Sequence, residues 1–374
     1  MKSSLSLLIL GALILSGCNS SNNNEIVVGE YGSLTGSTAT FGQSTHKGVE
    51  LAASEINNRG GVLGKKIRVI VEDDQGKPEQ ATSAVLKLIQ RDRVIAVLGE
   101  VASSRSIAAA PICQQNKIPM ISPASTNPAV TEKGDYIFRT CFIDPFQGAV
   151  MAKFAFDNLK VHNAAVLTDR KNDYSVGLAQ FFKEKFKELG GTIVAEEAYQ
   201  ADDKEFKPQL NNLRAKNPEA IFVPGYYTDC TLIARQAREL GIHAPLLGGD
   251  GWDSEVTIKN GGTAVEGCYF STHYSQDDPR PEVKDFVAKF NQTYKETPDS
   301  MAVLGYDAAN ILFNAIAQAG STDPQAIRDA LAKTKDFPGV TGKITIDEHR
   351  NAQKGAVVLK IEHGKFNFVQ LVSP

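Results

Sequence analysis

Five short stretches of this 374-residue chain carry the side chains best suited to chemistry, and their types divide along its length. Gly99-Glu100-Val101-Ala102-Ser103-Ser104 and Ser122-Pro123-Ala124-Ser125-Thr126 are rich in hydroxyls, and each follows an apolar run that reads as a strand. Hydroxyls beside the unpaired N–H groups at a helix start suit a carboxylate. Ordinary N-capping by serine fits the same residues. Asp169 to Tyr174, Pro224-Gly225-Tyr226-Tyr227 and Gly248-Gly249-Asp250-Gly251-Trp252 supply tyrosines and a carboxylate. Such groups suit an ammonium and an apolar side chain, although a loop tyrosine taken alone is ordinarily just packed. The distribution says more than any one stretch: carboxylate-type donors come first and ammonium-type acceptors later. A zwitterion held between the two sets would favour a closed arrangement through contacts to both.

Catalytic patterns fail one by one. The dinucleotide fingerprint at Gly249-Asp250-Gly251 has Ser254 in its third glycine position. A phosphate loop fails because Lys66 follows Gly64-Lys65 and Arg59 replaces the first glycine. No G-x-S-x-G or H-E-x-x-H occurs, and Ser44-Thr45-His46-Lys47 matches S-x-x-K without its companion S-D-N and K-T-G motifs. The six histidines are scattered without metal-like spacing. Binding rather than turnover is the expectation, with no catalytic residue, metal or cofactor.

The elements that must position these loops follow from hydrophobic periodicity. Strands are expected at Ile26–Gly29, Ile67–Val71, Val94–Leu98, Ala164–Leu167, Thr192–Ala195, Ala220–Val223 and Pro245–Leu247. Helices alternate with them: Val49, Ala52, Ala53 and Ile56 share one face, Pro78 opens a first turn, and further helices begin near Ser104, Val176 and Phe206. Repeated strand–helix–strand units imply parallel sheets with helices on both faces. Two such runs divide near Asp144-Pro145. After Pro281 three helical stretches follow almost in succession, and a hairpin through Glu362-His363-Gly364-Lys365 closes the chain.

Composition sets the class. Hydrophobic residues make up 42% and charged residues 22%, as in a soluble globular protein. A net charge of −3 argues against nucleic acid as a partner. At the N-terminus Lys2 precedes an apolar run from Leu5 to Leu15, too short for the ~20 residues of a membrane span but suited to a signal peptide. It ends in Leu15-Ser16-Gly17-Cys18, which resembles the bacterial lipobox. That resemblance implies a signal peptide over 1–17, lipidation of Cys18 and a flexible tether over 18–24, hence an exported, membrane-anchored chain facing the periplasm or cell exterior. Cys113, Cys141, Cys230 and Cys268 remain, either disulfide-bonded or buried as small apolar residues.

Gly32-Ser33-Leu34-Thr35-Gly36 with Phe41-Gly42, Ala53-Ser54-Glu55-Ile56-Asn57 with Gly60-Gly61, and Ile121-Ser122-Pro123-Ala124 form one series of motifs. Asp173-Tyr174, Val223-Pro224-Gly225-Tyr226-Tyr227, Gly248-Gly249-Asp250-Gly251, and Leu331 to Phe337 with Gly339-Val340-Thr341-Gly342 continue it. In these stretches the chain resembles the type I periplasmic solute-binding proteins, specifically the leucine/isoleucine/valine-binding group of ABC importers. The resemblance implies an α/β fold of two doubly wound parallel-sheet lobes joined by a three-segment hinge, with crossings near Asp144, Thr272 and Arg350. Lobe one would be 25–143 plus 274–350, and lobe two 144–273 plus 351–374. It further implies that Ser103 and Thr126 hold an α-carboxylate, and that the Ala124 carbonyl, Thr126 and Asp250 hold an α-ammonium. Phe41, Tyr174 and Tyr226 would wall the side chain. The implied partners are a small amino acid, an ABC transporter permease and the membrane through Cys18, for a chain acting as a monomer. Another small solute (an amide, urea or a polar amino acid), or a sensory role towards a membrane receptor, are the competing readings. Three positions stand apart. Asp250 occupies a place where several relatives carry glutamate, Ala102 replaces a cysteine that some relatives bridge, and Arg105 reads as a solvated surface charge rather than a ligand contact.

Overall fold

A computed structural model describes residues 24–373, so the expected signal peptide, Cys18 and the tether up to residue 23 lie outside the described part. The first sheet is built from β1 (Glu25–Gly32), β2 (Lys66–Asp73), β3 (Val97–Leu98), β4 (Met120–Ser122) and β5 (Ile137–Arg139), all parallel in the order β2-β1-β3-β4-β5. Helices α1 (Ala39–Asn58), α2 (Pro78–Gln90) and α3 (Ser103–Asn116) connect these strands. One face of the sheet packs Ile26, Val28 and Leu98 with Val49 and Ala52 of α1, and the other packs Val97 and Met120 with Val85, Leu88 and Ala109 of α2 and α3. Burial on both faces is why these strands read as nearly continuous apolar runs rather than as alternation.

The second unit begins with α4 (Asp144–Lys153), then β6 (Asn163–Asp169), α5 (Asp173–Glu188), β7 (Thr192–Tyr199), α6 (Lys207–Arg214), β8 (Ala220–Phe222), α7 (Tyr227–Glu239), β9 (Leu246–Gly248), α8 (Glu255–Gly261) and β10 (Tyr269–Thr272). The chain then returns to the first unit as α9 (Pro281–Tyr294), α10 (Ser300–Ala319) and α11 (Pro324–Leu331), followed by a small antiparallel sheet of β11 (Phe337–Gly339), β12 (Gly342–Ile346) and β13 (Ala352–Gln353). Finally β14 (Ala356–Glu362) and β15 (Lys365–Val372) add to the second sheet, whose order is β15-β14-β10-β9-β8-β6-β7. β14 runs antiparallel to β10, and β15 antiparallel to β14.

The return to the first unit is fixed by helix contact. α10 lies on α1 so closely that a Cβ on Gly48 would sit 1.9 Å from the Ala302 carbonyl oxygen, and one on Gly305 would sit 2.4 Å from that of Thr45. Ile311, Leu312 and Ile316 of α10 thereby join the core beneath β1. The chain passes between the two sheets three times: between β5 and α4, after β10, and between β13 and β14.

Several details differ from the sequence reading. The ladder of β3 is shorter than 94–98, although Ile95 N–H still donates to Val27 O at 3.1 Å. β10 and the β11–β13 sheet were not expected; strands of two to five residues give too few alternations to register as periodicity. The four cysteines are free and buried, and burial pushes their thiols up from the ordinary range. Arg105 is not a solvated surface charge. It is 5% exposed, its Nε stands 2.9 Å from Glu100 Oε2, and its Nη2 donates to Thr38 Oγ1 at 3.1 Å. Glu100 lies two residues past β3 and Arg105 in the first turn of α3, so the ion pair closes the strand-to-helix turn from beneath.

Candidate functional site

The loops at the carboxyl ends of the parallel strands of both sheets face one another, the position at which doubly wound sheets hold ligands. In the first unit, Ser103 opens α3 and its Oγ accepts from Asn127 N–H at 3.2 Å. Most of the other hydroxyls nearby are spent internally. Ser122 Oγ donates to Glu100 O at 2.6 Å, and Ser125 Oγ reaches the same carbonyl at 2.8 Å. Thr126 is different: its Oγ1 is buried and has no protein partner. Ala124 packs with Phe41, Val101, Tyr227, Met301 and Leu304, and Tyr226 leans on this cluster.

In the second unit, Asn172 caps α5 by accepting from the Tyr174 and Ser175 N–H groups, which fixes Tyr174 in the first turn. The rings of Tyr174 and Tyr226 stack with centroids 5.3 Å apart, and Phe41 meets Tyr226 edge-on at 5.6 Å. Tyr174 OH accepts from Gly251 N–H at 3.1 Å, which draws the loop carrying Asp250 against the tyrosines. The loop can approach because Gly249 has no side chain. A Cβ there would lie 2.2 Å from Gln147 Oε1 and 2.5 Å from Tyr174 OH. Trp252 anchors the far end of the turn, its Nε1 donating to Val223 O at 2.9 Å.

Asp250 is 3% exposed, and both carboxylate oxygens have partners: Gln147 Nε2 donates to Oδ1 at 2.8 Å, and His273 Nε2 stands 3.0 Å from Oδ2. Three residues before Gln147, Asp144 is wholly buried, and burial, only partly offset by the neighbouring Thr126 hydroxyl, holds it well above the ordinary carboxylate range. Its N–H donates to Thr126 O at 2.9 Å, tying the start of α4 to the hydroxyl loop of the first unit. Ser103, Thr126, Asp144, Gln147 and Asp250 therefore follow one another around the cleft, with Phe41, Tyr174 and Tyr226 on its apolar side. Buried polar atoms without partners are uncommon, and Thr126 Oγ1, Tyr226 OH and Gln147 Oε1 are among those of the described residues.

The two units also touch across the mouth of the cleft. Asp173 N–H donates to Ser104 Oγ at 3.0 Å, Asn127 Nδ2 donates to Asp173 O at 2.8 Å, and Thr228 Oγ1 donates to Ser37 O at 2.7 Å. Gln147 and His273 are site residues that the sequence reading missed. His273 directly follows β10, so reading that strand would have drawn attention to it; Gln147 lies within a helix and left no local signal. Among the described residues no cluster of His, Cys, Asp and Glu could hold a metal ion, and no helix is long and apolar enough to cross a membrane.

Two doubly wound sheets, three crossings and an interlobe cleft define the type I periplasmic binding protein fold. The chain belongs to that family: residues 25–365 match the family described as periplasmic binding protein. Within it, the chain is 34% identical over 353 residues to Leu/Ile/Val-binding protein homolog 2 of Brucella abortus, covering 92% of this chain and 94% of that one. The leucine-binding protein LivK of Thermotoga maritima superposes with a TM-score of 0.90 at 40% identity, covering 93% of this chain and 99% of that one. LivJ of Streptococcus pneumoniae, a branched-chain amino acid transporter substrate-binding protein in complex with isoleucine, gives 0.89 at 34% identity, covering 94% of this chain and all of that one.

Proposed function

We propose that this chain captures a branched aliphatic amino acid (leucine, isoleucine or valine) in the interlobe cleft and delivers it to the permease of an ABC importer. The observation that carries the reading is the pairing of Asp250, a buried carboxylate, with the unpartnered Thr126 hydroxyl across a wall of Phe41, Tyr174 and Tyr226. An α-amino acid meets all three requirements: its ammonium offers three donors to Asp250 and the Ala124 carbonyl, its carboxylate accepts from Ser103 and Thr126, and its side chain faces the rings. The lobes are 25–143 plus 274–350 and 144–273 plus 351–374, anchored to the membrane by a lipid on Cys18. Contacts such as Ser104–Asp173 and Ser37–Thr228 join the two lobes across the mouth of the cleft. A ligand touching both lobes shifts the population towards a closed arrangement.

The test is a thermal-shift panel on the chain from Ser20, using the twenty amino acids, urea and simple amides. A ligand at 100 times its dissociation constant adds ~2.7 kcal/mol of stability. A rise with leucine, isoleucine or valine is expected. A rise confined to urea, an amide or a polar amino acid would replace the proposed substrate.

A further inference from the structure

The ammonium-site carboxylate is wired to the hinge. His273 lies one residue past β10, on the second crossing, and its ring stacks on Phe142 of the first crossing with centroids 3.7 Å apart and planes 22° from parallel. The same ring turns Nε2 towards Asp250 Oδ2 at 3.0 Å, while Gln147 Nε2 donates to the other oxygen at 2.8 Å. His273, Phe142 and Gln147 are all buried. We propose that His273 is a positioning residue for amino-group recognition: from its stack on Phe142 it donates through Nε2–H to Asp250 and, with Gln147, aims the carboxylate at the ligand's ammonium.

The chemistry selects this arrangement. A carboxylate only accepts, so the proton must sit on Nε2 for the contact to be a hydrogen bond. Burial depresses the basicity of the His273 ring, and Nδ1 has no partner, which suits a neutral imidazole. A neutral donor orients Asp250 without cancelling the charge that attracts the ammonium. It also answers a geometric need. Aspartate is one methylene shorter than glutamate, so its carboxylate must be held at a set distance from the ligand, and two donors on opposite oxygens do so. The inference rests on the reading of Asp250 as the ammonium site.

The experiment measures leucine and 4-methylpentanoate, the same skeleton without the amino group, by calorimetry on the wild-type chain, His273→Phe and His273→Gln. Phenylalanine keeps a ring over Phe142 and removes the donor; glutamine places an amide N–H near the position of Nε2. The expected result is a tenfold or greater loss of leucine affinity in His273→Phe, a change of less than threefold for 4-methylpentanoate, and leucine affinity restored to within threefold of wild type in His273→Gln. Equal losses for both ligands, or leucine binding unchanged in His273→Phe, would overturn the proposal. If the variants do not fold, ¹⁵N NMR of the wild-type imidazoles decides: His273 is expected as the Nε2–H tautomer, its Nε2 resonance shifting on leucine addition and not with 4-methylpentanoate. An Nδ1–H tautomer overturns it. A wild-type chain that binds leucine no better than 4-methylpentanoate refutes instead the reading of Asp250.

Discussion

Tyr226 lies face to face with Tyr174, planes 7° from parallel, while its ring meets Phe41 of the opposite lobe at 87°. One side chain thus contacts an aromatic ring from each of the two units. Replacing it by alanine removes apolar area worth about 1.5–3 kcal/mol. Tyr226→Ala is therefore expected to weaken leucine binding by about 10- to 100-fold. Tyr226→Phe, which keeps both ring contacts, should stay near wild type. Calorimetric titration of the two variants with leucine separates the ring from the hydroxyl; equal losses would assign the effect to the hydroxyl.

Asp250→Ala should weaken amino-acid binding by about 100-fold or more, because the ligand's ammonium would be buried without a counter-charge. Thermal unfolding without ligand checks that the variant is folded. Undiminished affinity in a folded variant removes Asp250 from the site.

The Glu100–Arg105 pair predicts a stability effect. Both residues are buried, and Glu100 also accepts from Ser33 N–H at 3.2 Å. Arg105→Met leaves the Glu100 carboxylate uncompensated and should cost about 3–5 kcal/mol in urea denaturation. The double variant Glu100→Gln/Arg105→Met should recover part of that loss. A single variant as stable as wild type would contradict the pairing.

Asp144 makes stability pH-dependent. Its folded-state affinity for a proton is raised by burial, whereas the unfolded chain releases that proton near pH ~4. Between those two points the folded state binds more protons, so this residue's contribution to stability falls as pH rises, by up to ~1.4 kcal/mol per pH unit. Asp144→Asn abolishes the cost. The amide variant should gain on wild type as pH is raised from 4 to 8 and hold no advantage at pH 4. Melting curves across that range test this; a constant offset between the two proteins would sink it.

Local sequence determined the alternation of strands and helices, since burial on both sheet faces writes apolar runs and amphipathic periods directly into the chain. Pro78 and the glycines after Asn58 mark element ends for equally local reasons. It also located the loops after β3, β4, β6, β8 and β9, because ligand loops follow the carboxyl ends of parallel strands. What it left open were relations between residues far apart in the chain. That Arg105 turns inward depends on Glu100 and Thr38 closing around it. That Ser122 and Ser125 are spent on Glu100 O while Thr126 keeps a free hydroxyl depends on how two loops pack. The Asp250 environment, with Gln147 from α4 and His273 from the segment just past β10, was decided only by the tertiary structure: hydrogen bonds between distant segments impose no periodicity on either segment.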